Sequence, residues 1–164
     1  MSTKHILLVE DDARDADLTL AALEDYSVGN EIVVVHDGQE ALDYLYCRGK
    51  FKTRERCYPV VVLLDNKMPK VNGLEVLKTL KSDEHLKAIP VVVLTSSRET
   101  RDLVEFYRNG VNAYVVKPVV FSDFISTVKQ LGAFWAAVNE PPPYTELEET
   151  LYVNGAPKTK RPPK

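Results

Sequence analysis

The sequence predicts a doubly wound α/β fold, in which helices cover both faces of one five-stranded parallel sheet. Short runs rich in Val, Ile and Leu alternate along the chain with segments of helical period. These runs are almost continuously apolar, which is typical of parallel strands that are buried on both faces. The chain has 164 residues, of which 45% are hydrophobic, so it can bury one core and we expect a single folded domain.

The five strands are expected near these apolar runs: residues 5–10, 31–35, 60–65, 91–95 and 113–117. Asp12 is the expected N-cap of the first helix. Four residues at helical spacing should turn inward from that helix, namely Leu18, Ala21, Ala22 and Tyr26. The same spacing predicts helices after the second, third and fourth strands, at Ala41, Leu42, Leu45 and Tyr46, at Leu74, Leu77 and Leu80, and at Leu103, Phe106 and Tyr107.

The last helix is predicted to be longer than coverage of the sheet requires. Its apolar pattern spans residues 121–139, a length of about 27 Å at 1.5 Å per residue, and the prolines that follow end it. Because the final two turns are almost wholly apolar, their surface needs a cover. A homodimer would supply that cover through an interface at Phe134, Trp135 and Val138. Alternatively, residues 144–152 fold back over this end of the helix.

We divide the chain into a folded domain with its extended last helix, residues 1–139, and a Pro-rich, partly disordered tail, residues 140–164. The net charge of −3 provides no overall basic field, and nothing after residue 139 has the pattern of a helix-turn-helix, so DNA binding is not expected. No apolar run approaches the roughly 20 residues needed to cross a bilayer, and no secretory leader is visible. We therefore expect a cytoplasmic protein that does not bind membranes.

Residues with phosphoryl-binding chemistry follow four of the predicted strands. Glu10 and Asp11 follow the first, Asp65 ends the third, Thr95 ends the fourth and Lys117 ends the fifth. The carboxyl ends of neighbouring parallel strands meet at one edge, where open α/β sheets bind ligands. The sequence therefore predicts that three carboxylates, a hydroxyl and an ammonium group converge there.

Such a cluster of carboxylates needs a cation. Two carboxylates about 4 Å apart repel by about 4 kcal/mol at an effective dielectric constant of 20. Ligands that are all oxygen favour Mg²⁺ or Mn²⁺ over zinc. A carboxylate that touches such an ion can attack a phosphoryl donor and become an aspartyl phosphate, while Lys117 and Thr95 bind the phosphoryl oxygens.

Four motifs together resemble the receiver domain of two-component response regulators, over residues 4–131. They are Val9-Glu10-Asp11, Leu64-Asp65-Asn66-Lys67-Met68-Pro69 with Asn72-Gly73, Leu94-Thr95-Ser96, and Tyr114-Val115-Val116-Lys117-Pro118. The resemblance implies a flavodoxin-like sheet with strand order 2-1-3-4-5. It also implies a phosphoacceptor that assists its own phosphorylation and dephosphorylation and is not a turnover enzyme.

The resemblance assigns a role to each residue of the site. Asp65 is expected to accept phosphate from a phosphohistidine of a sensor histidine kinase. Asp11 would bind Mg²⁺ directly, Glu10 would act largely through water, and the backbone carbonyl of Lys67 would complete the protein ligands. Thr95 would bind the phosphoryl group together with Lys117.

Further expectations concern the switch and the lifetime of the phosphoryl group. The rotamer of Tyr114 would follow the movement of Thr95, and the Lys117-Pro118 bond is expected to be cis. The side chain of Lys67, two positions after Asp65, occupies a position that influences dephosphorylation in receivers.

The basic stretch before the third strand and the extended last helix are most similar to the stand-alone regulators paired with bacterial phytochromes. That resemblance implies a bacteriophytochrome kinase as partner and a homodimer through the last helix. Two alternatives stay open. A magnesium-dependent phosphatase of the haloacid-dehalogenase type would carry an acidic residue where this chain has Lys67, and a pseudo-receiver would bind partners without phosphate.

Overall fold

The computed structural model describes residues 4–24, 30–144, 152–153 and 156–157, and it contains one five-stranded parallel sheet. The strands are β1 (Lys4–Val9), β2 (Asn30–Val35), β3 (Val61–Leu64), β4 (Val91–Thr95) and β5 (Ala113–Val116). Their order across the sheet is β2-β1-β3-β4-β5. The predicted doubly wound, flavodoxin-like fold is therefore confirmed.

Among the described residues, five α-helices connect and cover these five strands. They are α1 (Ala13–Leu23), α2 (Gly38–Leu45), α3 (Gly73–Ser82), α4 (Thr100–Arg108) and α5 (Phe121–Gly132). A 3₁₀ turn, Gly49–Phe51, follows α2, and two very short antiparallel strands, β6 (Tyr152–Val153) and β7 (Ala156–Pro157), pair near the end of the chain. Within the described ranges, no helix combines the length and the apolar character needed to span a membrane.

Two groups of buried side chains fill the space on either side of the sheet, because successive residues of a strand point to opposite faces. Leu7 and Val9 of β1 pack into the core that includes α2, α3 and Phe106 of α4. Ile6 and Leu8 of the same strand pack into the core that includes residues of α1 and α5. The nearly continuous apolar strand sequences follow from this two-sided burial.

Helix α1 begins as predicted, since the side chain of Asp12 accepts a hydrogen bond from the backbone N–H of Asp15 at 2.9 Å. The set of residues that this helix buries differs from the prediction. The buried residues are Ala16, Thr19, Ala22 and Leu23, and Leu18 is half-buried. Ala21 is exposed, so its predicted burial is wrong. The buried face of the helix centres on Ala22 and Leu23, and Ala21 lies about 100° from Ala22 around the helix axis. Tyr26 lies outside the described residues.

The last helix extends beyond α5 as predicted, but its continuation is a π-helical segment, Ala133–Val138. Ala136 is buried against the α1 and α5 core, and Trp135 is half-buried against the same core. Phe134 stays 48% exposed and Val138 69% exposed. Of the three residues predicted at a dimer interface, two therefore present apolar surface to solvent and one mainly packs inside its own chain.

The chain beyond the last helix packs against the segment before β3 at Tyr144. Its ring packs edge-on against Tyr58 at a centroid distance of 5.0 Å, and its hydroxyl donates to the carbonyl of Pro59 at 3.2 Å. The alternative prediction places residues 144–152 over Phe134 and Trp135. Tyr144 contacts Tyr58 instead, and residues 145–151 lie outside the described part of the chain.

Candidate functional site

Three carboxylates meet where β1 and β3 end. These strands are neighbours and pair Val9 with Leu64, so Glu10 and Asp65 leave the sheet side by side. One carboxylate oxygen each from Glu10, Asp11 and Asp65 lies within 4.8 Å of the others. The strand register thus brings these predicted site residues together, although they are separated by more than fifty positions in the sequence.

The cluster combines buried and exposed carboxylates. Glu10 is only 3% exposed, and burial raises its pKa to about 7, with Asp65 adding to the rise and Lys117 opposing it. Burial also raises the pKa of the half-buried Asp65, again against the effect of Lys117. Asp11 is exposed. Two desolvated acids beside a third that faces solvent fit a divalent cation, because the cation offsets the cost of their negative charges.

The donor set also restricts which cation fits. All three side chains offer oxygen, and the exposed Asp11 leaves the cluster open to an ion from solvent. Oxygen-only ligands with room for water match Mg²⁺ or Mn²⁺. Asp65 is further oriented because its Oδ1 accepts the backbone N–H of Asn66 at 2.8 Å. Lys67 holds its side chain in solvent.

Lys117 places a positively charged ammonium group beside the carboxylates. Its Nζ donates to Glu10 Oε2 at 2.7 Å and to Asp15 Oδ2 at 2.9 Å, and it lies 3.9 Å from Asp65 Oδ2. The side chain is 11% exposed. Burial lowers the pKa of Lys117, but the hydrogen bonds to Glu10 and Asp15 outweigh burial and raise it above its usual value. The ammonium group is therefore charged and held at the carboxylate cluster.

The backbone of Lys117 is set by the end of the sheet. Its N–H donates to the carbonyl of Thr95 at 2.7 Å, immediately after β5. The Lys117-Pro118 bond is trans, so the expectation of a cis bond is wrong. Its Nζ reaches the carboxylates with the trans bond because the hydrogen bond to Thr95 already aims the residue at this edge.

Thr95 and Tyr114 both contact Ser97, a residue that sequence reasoning missed. Thr95 is buried at the end of β4, and its hydroxyl accepts the backbone N–H of Ser97 at 3.3 Å. Tyr114 is half-buried against Phe106 and donates its hydroxyl to the carbonyl of Ser97 at 3.1 Å. The Ser97 hydroxyl in turn donates to Asp102 of α4 at 2.5 Å. One loop residue therefore links the two predicted switch residues to α4.

Asp15 is the second residue that sequence reasoning missed. It lies at the third position of α1, where an acidic side chain after an Asp N-cap usually indicates a capping box. Nothing in the sequence says that its carboxylate instead binds Lys117, 102 positions away. Only the fold brings the two together, because α1 follows β1, Lys117 follows β5, and both of these parallel strands end at the same edge of the sheet.

Known proteins match most of this chain. Residues 6–129 match the response regulator receiver domain family. Response regulator Rcp1 from Synechocystis is 36% identical over 80% of this chain and 88% of its own length. The Mn(2+)-bound form of Rcp1 superposes with a TM-score of 0.80, covering 85% of this chain and 99% of that one at 35% identity.

Two further solved structures are similar. The phosphorylated cyanobacterial phytochrome response regulator RcpA superposes with a TM-score of 0.80, at 40% identity, over 86% of this chain and 99% of that one. The bacteriophytochrome response regulator RtBRR is 55% identical, with a TM-score of 0.68 over 90% of each chain. The sequence match, the strand order and the similar structures all agree. This chain belongs to the response regulator receiver domains of two-component systems, and it is related to the phytochrome response regulators.

Proposed function

We propose that this chain is a single-domain response regulator whose Asp65 accepts a phosphoryl group from a phosphohistidine of a sensor histidine kinase. The observation that carries the proposal is the meeting of Glu10, Asp11 and Asp65 within 4.8 Å, with the Lys117 ammonium hydrogen-bonded to Glu10 and 3.9 Å from Asp65. Holding three carboxylates this close together costs free energy, and a domain that only binds partners would not require that arrangement.

The geometry around Asp65 suits a nucleophile. Its Oδ1 is engaged by the N–H of Asn66, which fixes the plane of the carboxylate. In the transfer, an Asp65 oxygen forms a bond to phosphorus while the bond from phosphorus to the donor histidine nitrogen breaks. Lys117 stands beside the site where the equatorial oxygens would lie, and the buried Thr95 hydroxyl offers a further donor.

A divalent ion is the proposed cofactor. Glu10, Asp11 and Asp65 would hold it, with the backbone carbonyl of Lys67 as a further ligand. When bound, Mg²⁺ or Mn²⁺ supplies the positive charge that offsets negative charge on the phosphoryl oxygens. The relative Rcp1 has a described Mn(2+)-bound form, which supports this proposal for the present chain.

The proposed kinase is a phytochrome. Two similar structures, RcpA and RtBRR, are described as phytochrome and bacteriophytochrome response regulators, and RtBRR is 55% identical in sequence where the two chains align. This similarity supports a phytochrome kinase as the partner of the present chain. A cytoplasmic location and the absence of DNA binding stay predictions from the sequence.

The proposed output is a change in protein contacts. A phosphoryl group on Asp65 adds about −1.5 to −2 charge near neutral pH, and Thr95 would move toward it. Ser97 links Thr95 to Tyr114 and α4, so this movement would alter the surface of α4, β5 and α5. Exposed apolar residues lie on that surface, including Tyr107, 54% exposed, and Phe121, 62% exposed.

We also propose a homodimer through the extended last helix. Phe134 and Val138 offer the apolar surface, and Trp135 would contribute the part of its ring that the core leaves exposed. The predicted division of the chain into a receiver domain with its extended last helix, residues 1–139, and a tail, residues 140–164, is part of this proposal.

Phosphorylation of the full chain tests the proposal. With acetyl phosphate and Mg²⁺, the intact protein should gain the mass of one phosphoryl group, and Asp65→Asn should gain none. Asp17→Asn is the matched control, because it removes an exposed carboxylate and should leave phosphorylation unchanged. Transfer from phosphorylated phytochrome kinases of the same genome then tests the partner.

Other outcomes point to the two alternatives. Continuous release of phosphate from varied esters by the wild-type chain would favour a phosphatase. Binding of Mg²⁺ without any phosphoryl incorporation, from acetyl phosphate or from kinases, would favour a pseudo-receiver.

A further inference from the structure

Lys117 is bound by a carboxylate that lies outside the proposed metal cluster. Asp15 Oδ2 accepts a hydrogen bond from Lys117 Nζ at 2.9 Å, about as short as the 2.7 Å contact to Glu10. Asp65 Oδ2, at 3.9 Å, is beyond hydrogen-bond distance. The ammonium group is therefore held by Glu10 and Asp15 and not by the proposed phosphoacceptor.

The contact with Asp15 is not a by-product of helix capping. In α3, the corresponding third residue, Glu75, turns back to its N-cap Asn72 and completes a capping box. In α1, the N-cap Asp12 donates its backbone N–H to Glu10 Oε1 at 3.1 Å. The carboxylate of Asp15 is thereby left for Lys117, so it serves the site and not the helix end.

The negative charge of Asp15 should have opposite effects on the two ligands of the site. Its carboxylate partly neutralises Lys117, which lowers the positive potential available to a phosphoryl group on Asp65. The same negative charge favours a divalent cation on the neighbouring carboxylates. Glu10 and Asp65 would be the residues that hold such a cation, whereas Asp15 lies outside the cluster and would remain a partner for Lys117.

We propose that Asp15 is a positioning residue that draws the Lys117 ammonium away from Asp65, weakening phosphoryl binding there and strengthening binding of the divalent cation. This inference rests on the proposed function. Asp15 is half-buried, with a side chain 36% exposed, so the effect is that of a partly solvated ion pair. Such pairs shift an equilibrium by about two- to fivefold.

Two equilibrium affinities of the full chain test the inference. Mg²⁺ affinity is measured by calorimetry, and affinity for beryllofluoride, which stands in for a phosphoryl group on an aspartate, by fluorine NMR at saturating Mg²⁺. Asp15→Asn should bind Mg²⁺ about two- to fivefold more weakly and beryllofluoride two- to fivefold more tightly. Both changes should shrink as salt rises, because the pair is partly exposed.

Two variants separate this role from a general effect. Asp17→Asn removes the same charge from an exposed position of α1 that forms no ion pair in the described part of the chain, so it should change neither affinity by as much as twofold. Asp15→Glu keeps the charge and should stay close to wild type. A merely structural role of Asp15 would weaken both ligands together, and opposite signs would not appear.

The inference is overturned if Asp15→Asn matches Asp17→Asn, or if it weakens beryllofluoride binding. A wild-type chain that binds Mg²⁺ but neither beryllofluoride nor a phosphoryl group would refute the proposed function instead. In that case, an unchanged Mg²⁺ affinity in Asp15→Asn would still count against the role of Asp15.

Discussion

Gly73→Ala should damage the site although the change lies in a helix and adds a single methyl group. A Cβ at Gly73 would lie 2.3 Å from the carbonyl oxygen of Asp65 and 2.8 Å from Cα of Asn66. The backbone of Gly73 also donates to the carbonyl of Asn66 at 2.8 Å. The first turn of α3 therefore packs directly on the backbone that carries the proposed phosphoacceptor.

The expected cost follows from two opposing effects. Ala is favoured over Gly within a helix by about 0.5–1 kcal/mol. Forcing a methyl group into a closely packed position costs about 1–3 kcal/mol, because backbone and not a flexible side chain must move. We expect a net loss of about 1–2 kcal/mol in the free energy of unfolding. The shift of Asp65 should also weaken Mg²⁺ binding by about tenfold.

Urea unfolding and calorimetric titration with Mg²⁺ measure the two effects. Gly110→Ala is the control, because Gly110 has φ +86° and its nearest neighbour for a Cβ is the Lys81 side chain at 3.5 Å. That variant should lose about 1–2 kcal/mol through backbone strain and keep its Mg²⁺ affinity. A Gly73→Ala protein with wild-type stability and wild-type Mg²⁺ affinity would show that the backbone of Asp65 does not depend on the close approach of α3.

Three further predictions concern other parts of the molecule. Replacing both Phe134 and Val138 by Ser should halve the mass measured by light scattering, since both residues are exposed apolar groups; a monomeric wild-type chain would contradict the dimer. Tyr114→Phe removes the hydrogen bond to the loop after β4 and should lower the free energy of unfolding by about 1 kcal/mol in urea, whereas an unchanged value would show that this bond contributes nothing. Burial raises the pKa of Tyr44 to about 12, so stability should be full below pH 10 and fall as pH rises toward 12, and Tyr44→Phe should flatten that fall in alkaline unfolding curves.

The fold could be predicted from the sequence because local and global signals agree. Runs such as Val91–Leu94 are apolar at every position, and only strands covered on both faces require that. Asp12 and Asn72 cap their helices where turn chemistry indicates. The position of Glu10, Asp11 and Asp65 at one edge then follows from the parallel topology, since Glu10-Asp11 follows β1 and Asp65 follows the neighbouring β3.

The finer features of the site depend on contacts between distant residues. The pairing of Lys117 with Asp15 needs the relative position of α1 and β5, which no local pattern encodes. The link from Thr95 through Ser97 to Tyr114 is made largely by backbone groups, which are the same at every position. How far the Trp135 ring is covered at the end of the last helix depends on the neighbouring elements whose core it packs against.

A crystal structure of the chain with Mg²⁺ and beryllofluoride would show whether one divalent cation and the proposed phosphoacceptor share this site. We expect one ion in contact with Asp11 and Asp65, a beryllofluoride group on Asp65, and the ammonium of Lys117 within hydrogen-bond distance of a fluorine atom. An ion-free cluster in which Glu10, Asp11 and Asp65 point apart at saturating Mg²⁺ would show that these carboxylates do not form a cation site.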